Sequence, residues 1–514
     1  MTGRSESLLR ASGITFGGIV VGAFATLLLA QIVGHRLGAA GTGLFFQAIA
    51  LFAIVSNALQ LGADTALVRT LSRQVALGER GSLRATVRGA VGPVAAVALV
   101  VSVVVYAAAS PIATVVAPND PVYGASVLRI MAPFLAPGAL LAVLLAGTRG
   151  IGSTLPYTAL QNLALPISRL LLVGVGMSLG LGVQWIAGGW AAPLVIVSAV
   201  AAIVLVQQLH RAGTTSIPQA ASVRREFWRF AIPRGASTML ERALDWAGVL
   251  LVLAVAGPVL GGIYAVVNRC VTAGTMIDQA ARIVTGPRIS RALAVDDHAQ
   301  ASALFLAVTR GIVAVAWPFY LTLAVFAPTV LSLFGPEFVV GALPMALVSL
   351  AMMLSTTAGM VQSVLLMGGR SSWQLFNRIA QLATLVVLTA LLVPPLGLTG
   401  AALGWVAAIV VDTTLATVQV AVKLRIRSSP RLLALPAALA LTVFGGGGLL
   451  CANALGQTLP VLLASSAVLA LVYVAACTLL RRPLGFDALI PRRRTTHVLG
   501  LPAAPLPDLT RIER

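Results

Sequence analysis

The sequence predicts an all-α, polytopic membrane protein of about fourteen transmembrane helices. They form two six-helix lobes related by a pseudo-two-fold axis, with two further helices after them. Composition is the first observation behind this reading. Hydrophobic residues fill 58% of the 514 positions and charged residues only 10%, whereas a soluble domain is roughly half apolar and a quarter charged. Second, apolar runs of about 20 residues recur from end to end, each long enough to cross a hydrocarbon core as a helix. Third, the two halves of the chain repeat one another. A peptide group left unpaired in lipid is costly, so such runs form helices or a closed barrel. Barrel strands alternate in hydrophobicity over about ten residues, and Val94–Val105 shows no alternation.

In chain order the expected helices are Ser12–Gly34, Gly41–Leu61, Gly89–Ala109, Tyr123–Ala146, Tyr157–Gly180, Gln184–Leu209 and Phe230–Gly257. They continue with Gly261–Val284, Ala303–Ala327, Gly341–Met367, Trp373–Val393, Leu398–Val422, Leu432–Cys451 and Thr458–Leu480. The first run is too long for the core of a signal peptide and lacks a small-residue cleavage site, so it reads as a retained helix. Cys270, Cys451 and Cys477 fall inside helices without zinc or disulfide spacing and read as packing.

A net charge of +20 raises the question of nucleic acid, and the placement of the charge answers it. With the N-terminus inside, one set of loops holds Arg4, Arg10, Arg69, Arg73, Arg80, Arg84, Arg88, Arg149, Arg211, Arg224, Arg225 and Arg229. The same side takes Arg282, Arg288, Arg291, Arg370, Lys423, Arg425, Arg427, Arg431 and the basic, Pro-rich tail from Arg481. The opposite loops carry Arg36 beside Asp120 and Glu337. This is the positive-inside pattern and predicts both termini in the cytoplasm. No nucleic-acid partner is needed to explain it.

The repeat appears when the halves are shifted by about 215 to 221 positions. Gly43-Leu44-Phe45 then meets Gly262-Ile263-Tyr264, Leu144–Arg149 meets Leu365–Arg370, and Leu181-Gly182 with Gly189-Trp190 meets Leu396-Gly397 with Gly404-Trp405. An even-numbered repeat keeps both copies in one orientation, so the lobes, 1–210 and 211–425, flank an axis along the membrane normal with a cavity between them. Residues 426–480 supply the two extra helices and 481–514 a basic cytoplasmic tail that is disordered or lies on anionic lipid.

Charges inside a bilayer are the informative ones, because each costs about 2.5–3.5 kcal/mol at a helix centre. Helix seven carries Arg234, Ser237, Thr238, Glu241, Arg242 and Asp245 on one stripe. Arg234 snorkels to the interface; three charges facing lipid would cost on the order of 8–10 kcal/mol, so they face protein or water. Helix eight adds Asn268, Arg269, Thr272, Thr275 and Gln279, and helix five adds Gln161, Asn162, Ser168 and Arg169. Helix two offers Asn57, Gln60 and Asp64, helix nine Arg310 and helix twelve Asp412, while Arg129 and Arg378 sit near helix ends and are expected to snorkel. Buried pairs that only fix helix packing are the competing reading of these charges. Arg169, Arg242, Arg269 and Arg310 outnumber Glu241, Asp245 and Asp412. The expected cavity is mildly cationic and suits phosphate oxygens.

Prolines at 133, 137, 166, 193, 233, 318 and 344 interrupt helices and permit bending. There is no Walker loop or HExxH pair, and the four histidines fall at helix ends, in loops or in the tail. No enzyme and no cofactor is expected.

The chain resembles the polysaccharide-flippase branch of the multidrug/oligosaccharidyl-lipid/polysaccharide exporter superfamily. The resemblance rests on the opening Gly13–Gly34 helix, Gly41-Thr42-Gly43-Leu44-Phe45, Gly62-Ala63-Asp64 and Val68-Arg69. It continues with Asp245, Gly262-Ile263-Tyr264, Leu333-Phe334-Gly335-Pro336-Glu337-Phe338, and Leu396-Gly397 before Gly400-Ala401-Ala402. It implies alternating access between two six-helix lobes in a bacterial cytoplasmic membrane, moving oligosaccharide linked to polyprenyl diphosphate for surface polysaccharide synthesis. It also implies membrane lipids and the glycan polymerase or export machinery as partners. Substrate contacts would come from Arg169, Arg242, Arg269, Asn268 and Arg310, and ion coupling from Glu241, Asp245 or Asp64. Lipid II flippases, also of fourteen helices, and ion-coupled drug or cation antiporters of the same superfamily are the alternatives. A glycan polymerase or ligase would need a large outer loop, and these loops are short.

Overall fold

The computed structural model describes residues 2–117, 120–212, 221–279, 281, 285, 289, 297–359, 361–367, 371–423 and 430–480. Every regular element among them is helical. Eleven segments are long and apolar enough to cross a membrane. Three exceed one crossing: Gly17–Ala58 has 42 residues, Arg224–Gln279 has 56 and Trp373–Val422 has 50, against the ~20 a bilayer requires. Each holds a glycine in the left-handed region near its middle, with φ of 64° at Gly38, 81° at Gly257 and 55° at Gly397. The chain doubles back there. A Cβ on Gly261 would strike the side chain of Leu253, and one on Gly404 would lie 2.8 Å from Thr389 Oγ1; in a straight helix those pairs would be about 12 and 22 Å apart. These hairpins turn without a polar loop because glycine alone takes that φ without strain.

Eleven segments therefore supply fourteen crossings among the described residues. We label them α1 and α2 (Gly17–Ala58), α3 (Arg80–Ala107), α4 (Pro121–Ile151), α5 (Leu155–Ser178), α6 (Val183–Arg211) and α7 and α8 (Arg224–Gln279). Then follow α9 (Ala299–Val325), α10 (Pro336–Thr357), α11 and α12 (Trp373–Val422), α13 (Leu432–Leu455) and α14 (Leu459–Leu479). Helix ten is shorter than the sequence predicts. It stops at Thr357, and a separate helix, Val361–Met367, follows Gly359 at φ 67°. The break lets the backbone approach α9 so closely that a Cβ on Gly359 would collide with Thr309 Oγ1.

Alternate crossings place Gly38, Gly180, Gly257, Gly335, Gly397 and Gly456, all with positive φ, on one side, here the hinge face. The connections holding Arg73, Arg80, Arg149 and Arg211 lie on the other, the arginine face. Arg282, Arg288, Arg291, Arg370, Arg425, Arg427 and the tail from Arg481 lie outside the described residues.

The halves of the chain touch backbone to backbone at two levels. Toward the hinge face a Cβ on Gly43 would run into the Pro258 carbonyl, and one on Gly262 into the Ala39 carbonyl. Toward the arginine face a Cβ on Gly62 would meet the Ala231 carbonyl, and one on Gly235 would sit 2.6 Å from the Leu61 carbonyl carbon. Around the second contact, Arg73 pairs with Glu226 at 3.7 Å and Arg69 lies over the Phe230 ring at 4.3 Å. Around the first, Glu337 Oε1 accepts the Ala39 N–H at 2.6 Å. Ala39 opens α2 just past the hinge, where an N–H has no acceptor in its own helix, so a carboxylate from the far half caps it.

Because carbonyls rather than side-chain tips meet these glycines, Gly43→Val and Gly262→Val are each expected to destabilise the protein by about 1–3 kcal/mol or more. Gly92→Val, where nothing lies within 4 Å of the new carbon, should stay within about 0.5 kcal/mol of wild type. Thermal unfolding of the three variants in one detergent measures the contrast.

Candidate functional site

Helix α5 enters the membrane through a π turn, Thr158–Ala164, followed by Pro166. The extra residue rotates everything after it relative to a straight helix. Gly22 of α1 packs on this turn so tightly that a Cβ would collide with the Asn162 carbonyl. Beyond it, Arg169 lays its guanidinium over the Trp190 ring of α6, 3.6 Å from the centroid, and its Nε donates to the Trp190 carbonyl at 3.1 Å. The two Nη groups have no acceptor among the described residues.

A second stack mirrors the first in the other half. Arg269 of α8 lies 4.5 Å over the Trp246 ring of α7 and 5.4 Å from that of Phe46 on α2. It makes no hydrogen bond and no ion pair within 4 Å among the described residues. The turns explain both stacks. Arg169 stands 11 residues before Gly180 and Trp190 stands 10 after it; Trp246 stands 11 before Gly257 and Arg269 stands 12 after it. Residues equidistant from a hairpin's turn meet across it, and 11 residues of helix descend about 16 Å, which is mid-depth in a core of about 30 Å. The two guanidinium groups are close enough for their charges to repel, and Asp245 attracts Arg269.

The carboxylates have other partners. Asp245 bonds Arg242 at 3.3 Å on its own helix, with the charges of Arg378 and Glu241 also nearby. Glu241 pairs with Arg234 at 3.7 Å. Asp412 takes Arg378 at 3.5 Å and accepts a hydrogen bond from Gln362 Nε2 at 2.8 Å. Arg378 is therefore an internal cation joining α11 to α12, not a snorkelling one: Asp412 faces it across the Gly397 hairpin, and their side chains are only 27% and 11% exposed. Between the same two helices, Asn377 and Gln419 exchange two buried hydrogen bonds of 2.8 and 2.7 Å.

Of the predicted site residues, the structure brings Arg169, Arg269, Asp245 and Arg242 into one electrostatic group, with Glu241 beside it. Asn268 adjoins Arg269 in sequence but no contact of its side chain ties it to the group. Arg310 keeps a buried Nε without an acceptor and joins none of these pairs or stacks. Asp64 starts the helix Ala63–Ala76 beside the Gly62–Gly235 contact, one oxygen buried and unpartnered, at the arginine face rather than mid-depth. Sequence reading passed over the roles of Trp190, Trp246 and Arg378. Those of Trp190 and Trp246 are reachable by counting equal distances from Gly180 and Gly257; that of Arg378 is not, since it stands 19 residues before Gly397 and Asp412 stands 15 after it.

No family profile and no characterised protein sequence matches the chain. Solved structures do. The lipid II flippase MurJ in an inward closed conformation superposes with a TM-score of 0.68 at 11% identity, over 94% of this chain and 100% of that one. An inward-facing multidrug resistance MATE transporter of the MOP superfamily gives 0.65 at 15% identity, over 79% and 94%. The chain has the fold of the MOP transporters. A further MOP superfamily transporter, from Pyrococcus furiosus and described as having a binding pocket of reverse polarity, gives 0.58 at 17% identity over 81% and 95%. Helices in this fold thus frame the arginine pair, and the protein is a multi-pass membrane protein.

Asp412→Ala strands the Arg378 charge. Breaking a fully buried pair costs about 3–5 kcal/mol, and the residual exposure of Arg378 reduces this to about 2–3 kcal/mol. Glu226→Ala at the arginine face removes a pair whose side chains are 68% and 69% exposed and should cost under about 1 kcal/mol. Detergent unfolding midpoints compare the two.

Proposed function

We propose that the protein is a flippase that moves oligosaccharide linked to polyprenyl diphosphate across a bacterial cytoplasmic membrane by alternating access, with both termini cytoplasmic. The observation that carries this reading is the arginine pair. Two guanidinium groups at mid-depth repel each other, stack on tryptophan and keep donors without acceptors among the described residues. Such an arrangement is expensive in a low-dielectric interior unless an anion completes it. A diphosphate matches it, because planar guanidinium binds phosphate oxygens bidentately. On this reading 1–210 and 211–425 are the two lobes, and residues 426–480 add α13 and α14.

Alternating access requires the halves to part at one face while joined at the other. The glycine contacts supply both closures. Glu337 on Ala39 would hold the hinge face, and Arg73–Glu226 with Arg69–Phe230 the arginine face. Coupling to a proton or cation through Glu241 or Asp245 must first displace an arginine from each, because every deep carboxylate in the described residues already has one. An antiporter of organic cations would need the opposite: free acids and paired bases.

A lipid II flippase is the second reading, favoured by the extent of the match. MurJ aligns with 94% of the chain, while the MATE structures cover 79–85%. Both readings share a lipid diphosphate on Arg169 and Arg269.

Translocation of a fluorescent polyprenyl-diphosphate oligosaccharide in proteoliposomes tests the proposal. Arg169→Ala and Arg269→Ala should each lower the rate by about tenfold or more, as loss of one charge-assisted bond of about 1.5–3 kcal/mol predicts, with lysine recovering part of it. Unchanged transport in both variants sinks the arginine site, and preference for lipid II over other glycans selects the second reading. Glu337→Ala should leave binding intact and raise thiol labelling of a cysteine placed at Leu37, since the hinge face loses its cap.

A further inference from the structure

An apolar groove of about 220 Å³ lies in the first half of the chain, between α2, α4 and the short helix Ala109–Val116 that follows α3. Of its seventeen lining residues only Gln47 and Tyr123 carry polar side chains. The short helix is fixed over the groove at the hinge face. Asp120 accepts the Tyr123 N–H at 2.9 Å, Arg129 donates to Ser110 Oγ at 3.0 Å, and Ala117 packs where a Cβ on Gly124 would be 2.7 Å away. Two features point to an occupant. The Tyr123 hydroxyl is buried without a hydrogen-bond partner, an uncommon state for a buried donor. Phe52 also belongs to two places: it lines the groove, and its ring meets Trp190 edge to face at 5.7 Å, the same ring that carries Arg169.

We propose that this groove receives part of the hydrocarbon tail of the lipid whose diphosphate Arg169 binds, and that the tail is an isoprenoid. The inference rests on the flippase reading above. The groove and the guanidinium donors are separated by two aromatic rings, so one amphiphile can place its charge on Arg169 and its tail past Phe52. An apolar wall excludes a sugar or a free phosphate. Between hydrocarbon chains, an isoprenoid presents a π bond every few carbons, which can accept the Tyr123 O–H weakly; a saturated acyl chain leaves that donor orphaned.

The test uses the full chain in phosphatidylcholine nanodiscs and a polyprenyl diphosphate carrying a diazirine in its tail, with adducts located by mass spectrometry. Adducts are expected on 105–135 and on α2, competed by unlabelled polyprenyl diphosphate and less by a saturated-chain diphosphate. Val55→Trp, which fills the groove, should lower labelling by about tenfold, the factor expected when the tail loses burial of about two methylenes. Tyr123→Phe preserves packing and should erase the preference for the unsaturated competitor. Adducts confined to other helices, with the probe still bound and transported, overturn the groove and leave the flippase standing. Labelling suppressed equally by phosphatidylglycerol makes it a site for bulk lipid and also overturns the inference. Failure of the probe to bind at all overturns both.

Discussion

Where the backbones of the two halves touch, nothing lies between them that could adjust. A side chain at an interface can change rotamer by degrees, whereas a carbonyl seated against a glycine Cα is either in contact or away. Gly43 and Gly262 make one such seat and Gly62 and Gly235 the other, so α2 closes against α7 and α8 at both ends. The ion pair, cation–π contact and carboxylate cap gathered at those seats are short-range and weak singly, and they become decisive only because the glycines let the helices come so near. On the proposed flippase reading, contacts that are either made or broken at each end suit a carrier that is never open at both faces together.

Closing both ends has an electrostatic consequence for what lies between. The charges there range from half-exposed, as in Arg242 with Asp245, to mostly buried, as in Arg378 with Asp412, and their pairing shows what is missing. Each deep carboxylate has a guanidinium, which makes those sites locally neutral and favours a structural role for them. Arg169 and Arg269 have π faces, which offset part of the desolvation of a cation without consuming its N–H donors. Tryptophan thus holds each guanidinium flat with its two Nη groups free, the geometry in which a bidentate anion is received. The arginines of the described connections, Arg73, Arg80, Arg149 and Arg211 among them, contribute little here, since they sit at the arginine face.

Crossing number and approximate helix positions were legible in the sequence because hydropathy runs and glycine interruptions record them directly; α10 ends early where backbone approaches Thr309 on another helix, which no local pattern reports. The arginines were legible as expensive residues. Their partners were not, and the reason is instructive. Stripe reasoning looks along a helix, and it found Arg242 with Asp245 at i,i+3 but not Arg378 with Asp412, 34 positions apart.

Hairpin geometry supplies what the stripe lacks. Once a tight glycine turn is located, each residue before it has a depth-matched partner after it, set by 1.5 Å per residue on both arms. Gly180 and Gly257 then pair Arg169 with Trp190 and Trp246 with Arg269 at one depth, and Gly397 pairs Asn377 with Gln419, whereas Arg378, 19 residues before the turn, reaches along the helix to Asp412, 15 after it. The order is reversed between the first two, arginine before the turn in one half and after it in the other, so an internal repeat read residue by residue does not superpose them. The site is repeated in depth and chemistry but not in sequence, and this is why the repeat search, which aligned Trp190 with Trp405, missed the pairing that the turns enforce.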